Sequence, residues 1–186
     1  MKKILAAALI LIAGTYFGCS DNITSTEPSL KTASSVSWIA LSKNSALAKE
    51  GNLSVSEKIV GNKGGDLSLS GSYPGAGYNT VYVNAELTVP KRAYHGAKTL
   101  TMEIGDDAVV DLYPQMTFDN PLNLNLTFSG LDLTGVNPSE VNFYYIDPDG
   151  NLEIAENDGI TVDIANGTLS VKNAKIPHFS RYGFAK

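Results

Sequence analysis

Cysteine is nearly absent from this chain: Cys19 stands alone among 186 residues, so no disulfide scaffold can form. Histidine is scarce as well. Only His95 and His178 are present, and nothing in their spacing supplies a triad, in which a carboxylate holds a His against a nucleophile. Basic side chains are outnumbered, 14 against 19, and the net charge of −5 argues against a nucleic-acid binder. Internal repeats, coiled-coil heptads and, after Glu50, amphipathic helices of useful length are all missing. What is present is apolar content: 43% hydrophobic residues is too much for a disordered chain. The length suits one domain that can bury a core without metals or bridges.

The first apolar run is short. Lys2 and Lys3 precede Ile4 to Ala13, a basic n-region and an h-region too short to span a bilayer comfortably. Gly18-Cys19 follows and resembles the lipobox of bacterial lipoproteins, although Tyr16 stands where Leu is usual. That resemblance implies a signal peptide over residues 1–18, cleavage before Cys19 and acyl chains on Cys19. Several acyl chains hold a protein to a membrane far more firmly than one. The alternative is ordinary signal cleavage after Ser20, which gives a soluble secreted protein. Either way the mature protein keeps no free thiol. Loss of residues 1–18 leaves 168 residues and a net charge of −7, so attachment to anionic lipid would depend on the acyl chains. Ser20, rather than Asp, directly after the Cys favours the outer membrane of a bacterial envelope.

Residues 19–35 are Ser/Thr-rich and read as a flexible tether. Residues 36–54 leave two elements open, an edge strand at Val36–Leu41 and a short helical turn at Ala46–Glu50. From about Val55 the period is two. Val81, Val83, Ala85, Leu87 and Val89 alternate with polar neighbours; so do Leu100, Met102 and Ile104, and Leu122, Leu124, Leu126 and Phe128. Such alternation buries one face of a strand and wets the other. Shorter runs occur at Val141–Tyr145, Ile160–Ile164 and Thr168–Val171, with turn chemistry at Gly105-Asp106-Asp107, Asp147-Pro148-Asp149-Gly150 and Asn166-Gly167. The expected fold is all-β, a single antiparallel β-sandwich over residues 55–186.

Four segments of that body carry a resemblance. Ile59-Val60-Gly61-Asn62-Lys63-Gly64-Gly65-Asp66-Leu67, Leu87-Thr88-Val89-Pro90-Lys91-Arg92-Ala93, Tyr113-Pro114 with Phe118-Asp119-Asn120-Pro121-Leu122, and Ile176-Pro177-His178-Phe179-Ser180-Arg181-Tyr182 occur in the order found in ZU-type domains. Those β-sandwich modules are named for zonula occludens and Unc-type receptors and are also found in bacterial envelope proteins. Arg92 stands where the family pattern has Gly. The resemblance implies a scaffold or interaction module without a shared enzymatic reaction, and no cofactor.

It also marks one chemical candidate. In some ZU-type domains a His-Phe-Ser tripeptide cuts its own backbone. Here the Ser180 hydroxyl would attack the Phe179 carbonyl, an ester would form and water would hydrolyse it, with His178 assisting proton transfer. A straight strand would place Ile176, His178, Ser180, Tyr182 and Phe184 on one face, so burial of Phe179 would require a bulge or twist beside the bond. Cleavage would separate only Ser180–Lys186. A plain terminal strand with hydrogen-bonded His178 and Ser180 is the simpler account.

The remaining candidates are weaker. Asp147 to Asn151 with Glu153 resembles half a calcium loop, but a hairpin turn explains it without metal. Asp106, Asp107 and Asp111 read as a solvated turn, and so does His95. Tyr73, Tyr78, Tyr82 and Tyr94 surround a Gly-rich stretch and would suit stacking on a glycan or anchoring a protein, if exposed. The expected function is therefore a lipid-anchored, non-catalytic envelope module that binds an unidentified envelope protein. A glycan-binding surface and a self-cleaving domain are the alternatives.

Overall fold

The computed structural model describes residues 36–41, 53–75, 79–105, 107–147 and 149–186. The signal peptide, Cys19, the tether, the Ala46–Glu50 segment, Tyr78 and Asp106 lie outside the described residues. The body is an antiparallel β-sandwich, as its alternating sequence implies.

The strands run β1 (Leu53–Val60), β2 (Gly65–Pro74), β3 (Thr80–Val89), β4 (Ala97–Ile104), β5 (Val109–Tyr113), β6 (Thr117–Ser129), β7 (Asn142–Ile146), β8 (Leu152–Ile154), β9 (Gly159–Asp163), β10 (Thr168–His178) and β11 (Arg181–Ala185). One sheet has the order β1-β4-β5-β11-β7-β8 and the other β2-β3-β6-β10-β9. The residues expected to face inward on β3, β4 and β6 do so, and Leu87, Leu100, Leu122, Leu124 and Phe128 are fully buried. Each such side chain contributes about 1.5–3 kcal/mol of burial.

Three local departures from simple alternation matter. Strand β10 continues through Asn173 instead of ending at Val171; its pairing with β6 slips between Val171 and Ala174. Asn173 sits at φ 52° in the bulge, a left-handed conformation that Asn tolerates. Asp111 belongs to strand β5 instead of a turn. It faces Arg181 across the β5–β11 pair and accepts from its Nε at 2.8 Å and Nη2 at 3.0 Å. The segment Ile176–Tyr182 is two strands in different sheets, because the chain crosses between layers at Phe179-Ser180.

Val36–Leu41 adds to the six-stranded sheet. Ser37 and Lys186 exchange backbone hydrogen bonds of 2.8 and 3.0 Å, and Ala108 N–H donates to the Ile39 carbonyl at 2.7 Å. Ile39 and Leu41 are buried in the main core. The sandwich therefore takes in residues ahead of Val55, and the chain enters it beside Lys186.

Candidate functional site: one pole of the sandwich

The strand registers define two ends. Val60 pairs with Ala97, and Gly65 with Val89, so the β1–β2 and β3–β4 connections share one end. The β5–β6, β7–β8 and β10–β11 connections lie there too, because Thr117 pairs with His178 and Tyr182 with Tyr145. At the opposite end are the β2–β3, β4–β5 and β9–β10 turns, together with Ser37 and Lys186.

The four segments that resemble ZU-type domains are far apart in sequence and joined in space at the first pole. Arg92 N–H donates to the Gly61 carbonyl at 2.8 Å, Asp119 N–H to the Ala93 carbonyl at 2.9 Å, and Phe179 N–H to the Met116 carbonyl at 2.8 Å. The Asn120 amide adds a bond to the Arg92 carbonyl at 3.1 Å. Apolar contacts follow the same path. Phe118 packs edge-on against Phe179 at 4.9 Å and lies 6.1 Å from Tyr94. Gly61 is required here, since a Cβ would lie 2.2 Å from the Tyr94 carbonyl oxygen. Arg92 has φ 65°. This is the left-handed region in which Gly is at ease and an L-residue costs about 1–2 kcal/mol.

His178, Phe179 and Ser180 form the corner between the sheets. Phe179 is buried, and the pairing of β10 with β6 shifts between Ile176 and His178, the irregularity that its burial requires. The Ser180 hydroxyl donates to the Ile146 carbonyl at 2.6 Å, while the Ser180 carbonyl accepts from Leu112 N–H at 3.0 Å. To attack the Phe179 carbonyl, Ser180 would have to give up the bond to Ile146. The His178 ring stands edge-on to Tyr145 at 5.0 Å. Tyr145 stacks on Tyr182 at 5.5 Å and donates to Glu153. Burial, followed by the bond to Glu153, pushes the Tyr145 phenol up to about 12. All three corner residues line a recess of about 510 Å³ with Gln115, Met116 and the β7–β8 turn.

Two more recesses share Asn120. One, of about 710 Å³, is lined by Lys91, Asn123, Tyr145 and Lys175 among others. The second, of about 590 Å³, is lined by Asn62, Arg92, Tyr94, His95 and Asp119. These volumes fall within the range of about 300–1,000 Å³ typical of ligand pockets. His95 thus lies at the rim of a recess.

The tyrosines do not form one platform. Tyr94 is buried and donates to the Ile59 carbonyl at 2.9 Å. Tyr73 packs partly buried against the core, and burial raises its phenol well above the usual value. Tyr82 is 54% exposed on the opposite face of the five-stranded sheet. Asp147 closes the β7–β8 hairpin, accepting from Asn151 N–H at 2.7 Å and from its amide at 3.0 Å.

Sequence reasoning did not single out Asn120, Asn123, Tyr145 or Lys175. Only the topology brings them together, although Pro90, Pro121 and Pro177 in three of the quoted segments all line the largest of the three recesses. No protein family, curated protein or solved structure matches the chain.

Proposed function

We propose that this chain is a lipid-anchored envelope protein whose body is a ZU-like, non-catalytic interaction module. The observation that carries the reading is the junction of four distant segments at one pole. Arg92 holds a glycine-like backbone at the position where the ZU pattern has Gly. The anchor is Cys19, and the outer membrane is its destination. Val36 enters the sandwich at the opposite end, so the pole points away from the lipid.

The protein partner adds to the β8–β9 side of the sandwich. Edge strands offer unpaired backbone groups to a partner strand. On the other side β1 is guarded by exposed Glu57 and Lys58, whereas β9 carries no charge before Asp163. Ile154 and Ile164 are 59% and 41% exposed on this side.

Two measurements test the proposal. Metabolic labelling with an alkynyl palmitate should mark the protein and place it in the membrane fraction, and Cys19→Ala should abolish both. A soluble product beginning at Asp21 would overturn the anchor. A photocrosslinking residue at Thr161 should trap a discrete envelope protein in the native cell, while one at Ser68 should not. Equal yields from the two positions would refute the edge assignment.

A further inference from the structure

The pole opposite the chain entry carries cations without carboxylate partners on a protein that is acidic as a whole. Lys91 and Arg92 are exposed neighbours on the β3–β4 connection. Among the described residues, neither they nor Lys175 form an ion pair; the ion pair seen is Arg181 with Asp111. The Lys175 ammonium donates to Asn123 Oδ1 at 2.8 Å, which leaves two of its three donors for a ligand. The recesses holding these cations meet at Asn120 and form one polar groove. The Arg92 backbone sharpens the point. A left-handed conformation is costly for any residue but Gly, and such strain clusters where a side chain is needed in one place.

The groove's other groups define the ligand. Asn62, Asn120 and Asn123 offer amides, and Asp119 and Glu156 offer acceptors, a set suited to ring hydroxyls. Tyr145 and exposed Ile154 provide a wall for the apolar face of a sugar ring. The cations suit carboxylates on that ring. The groove lacks a row of stacking aromatics among its described residues, because Tyr94 is buried and bonded to Ile59; this sets it apart from a single-strand nucleic-acid channel. We propose that this groove binds an acidic oligosaccharide, with Lys91, Arg92 and Lys175 holding its carboxylates. The site is separate from the β8–β9 edge and does not depend on the lipid anchor.

The test is calorimetric titration of the protein, purified with its own N-terminus, against three octamers: a uronic-acid oligosaccharide, neutral maltooctaose and inorganic polyphosphate. The uronate should bind, more weakly as NaCl rises from about 50 to about 300 mM, and the other two should not compete. Arg92→Gly removes the guanidinium and leaves a residue suited to the backbone. It should weaken uronate binding roughly tenfold, as loss of a charge-assisted hydrogen bond implies. Lys175→Met, which keeps the aliphatic stem, should act similarly. Lys186→Ala, at the far end, should change nothing.

Absence of uronate binding up to about 1 mM, a mere −4 kcal/mol of affinity, would overturn the proposal. Equal binding of maltooctaose or polyphosphate would overturn the ligand class. An effect of Lys186→Ala equal to that of Arg92→Gly would show diffuse charge attraction and refute the groove. A thermal midpoint for each variant confirms that it is folded when measured.

Discussion

The Tyr182 hydroxyl donates to the His178 carbonyl 2.6 Å away, four residues upstream. The bond ties the first turn of β11 to the last residue of β10, across the corner at which the chain changes sheets. It is the geometry of the tyrosine corner of other β-sandwiches, which fixes a crossover from inside. The Tyr182 ring is fully buried and stacks on Tyr145 and Phe143, so the phenol does two jobs, packing and pinning.

Tyr182→Phe separates them. The ring stack survives, and the His178 carbonyl loses its partner. The expected loss is about 1–2 kcal/mol, that of a hydrogen bond removed with one buried group left unsatisfied. Urea unfolding should show a lower midpoint at unchanged slope. An unchanged midpoint would mean that the corner is held by packing alone.

Ser180→Ala tests the corner differently. In the folded protein the Ser180 hydroxyl donates to the Ile146 carbonyl, and neither Phe179 nor Ser180 has the positive φ seen at Arg92. Intact-mass measurement should therefore find both the parent and Ser180→Ala unclipped, with the variant less stable by about 1 kcal/mol. A parent fragment ending at Phe179 that disappears in the variant would establish self-cleavage instead.

The sandwich was legible in the sequence because period two is written directly in residues such as Val81 to Val89 and Leu122 to Phe128. Corners were not. Ile176–Tyr182 has the alternation of one strand, and nothing local shows that Phe179 leaves one layer for the other. That choice is made by partners such as Met116 and Ile146, distant in sequence. The tyrosines misled for a related reason. Tyr94 and Tyr82 have similar neighbours, and only tertiary packing buries the first and exposes the second.

Arg92 gives a stability prediction apart from its role in binding. At φ 65° an L-residue costs about 1–2 kcal/mol, whereas Gly costs about 0.5–1 kcal/mol through lost chain entropy. Arg92→Gly should thus raise stability by about 0.5–1 kcal/mol, a few degrees in Tm. Arg92→Val should lower it by more than that, because a β-branched residue is the least suited to this region. Calorimetry on the two variants reads the difference, and equal Tm values would show that the turn relaxes out of the left-handed region.

The pH dependence of stability has opposite signs at the two extremes. At the acid end, the side-chain and then backbone bonds from Asn151 hold the Asp147 carboxyl below its usual 3.8, and Asn166 does the same for Asp163. A depressed carboxyl binds fewer protons folded than unfolded, so its stabilisation is present above about pH 4 and fades as pH falls further. At the alkaline end the order is reversed. Tyr145, raised from 10.0 to about 12 chiefly by burial, keeps its proton longer when folded. Its contribution is full below pH 10 and is lost as the pH climbs towards 12. Urea midpoints should therefore fall from pH 10 upward, and Tyr145→Phe should make that decline shallower while leaving the acid limb alone. Tyr145→Phe with an unaltered alkaline slope would place the loss on the other buried phenols, Tyr73 and Tyr182, whose values burial also raises.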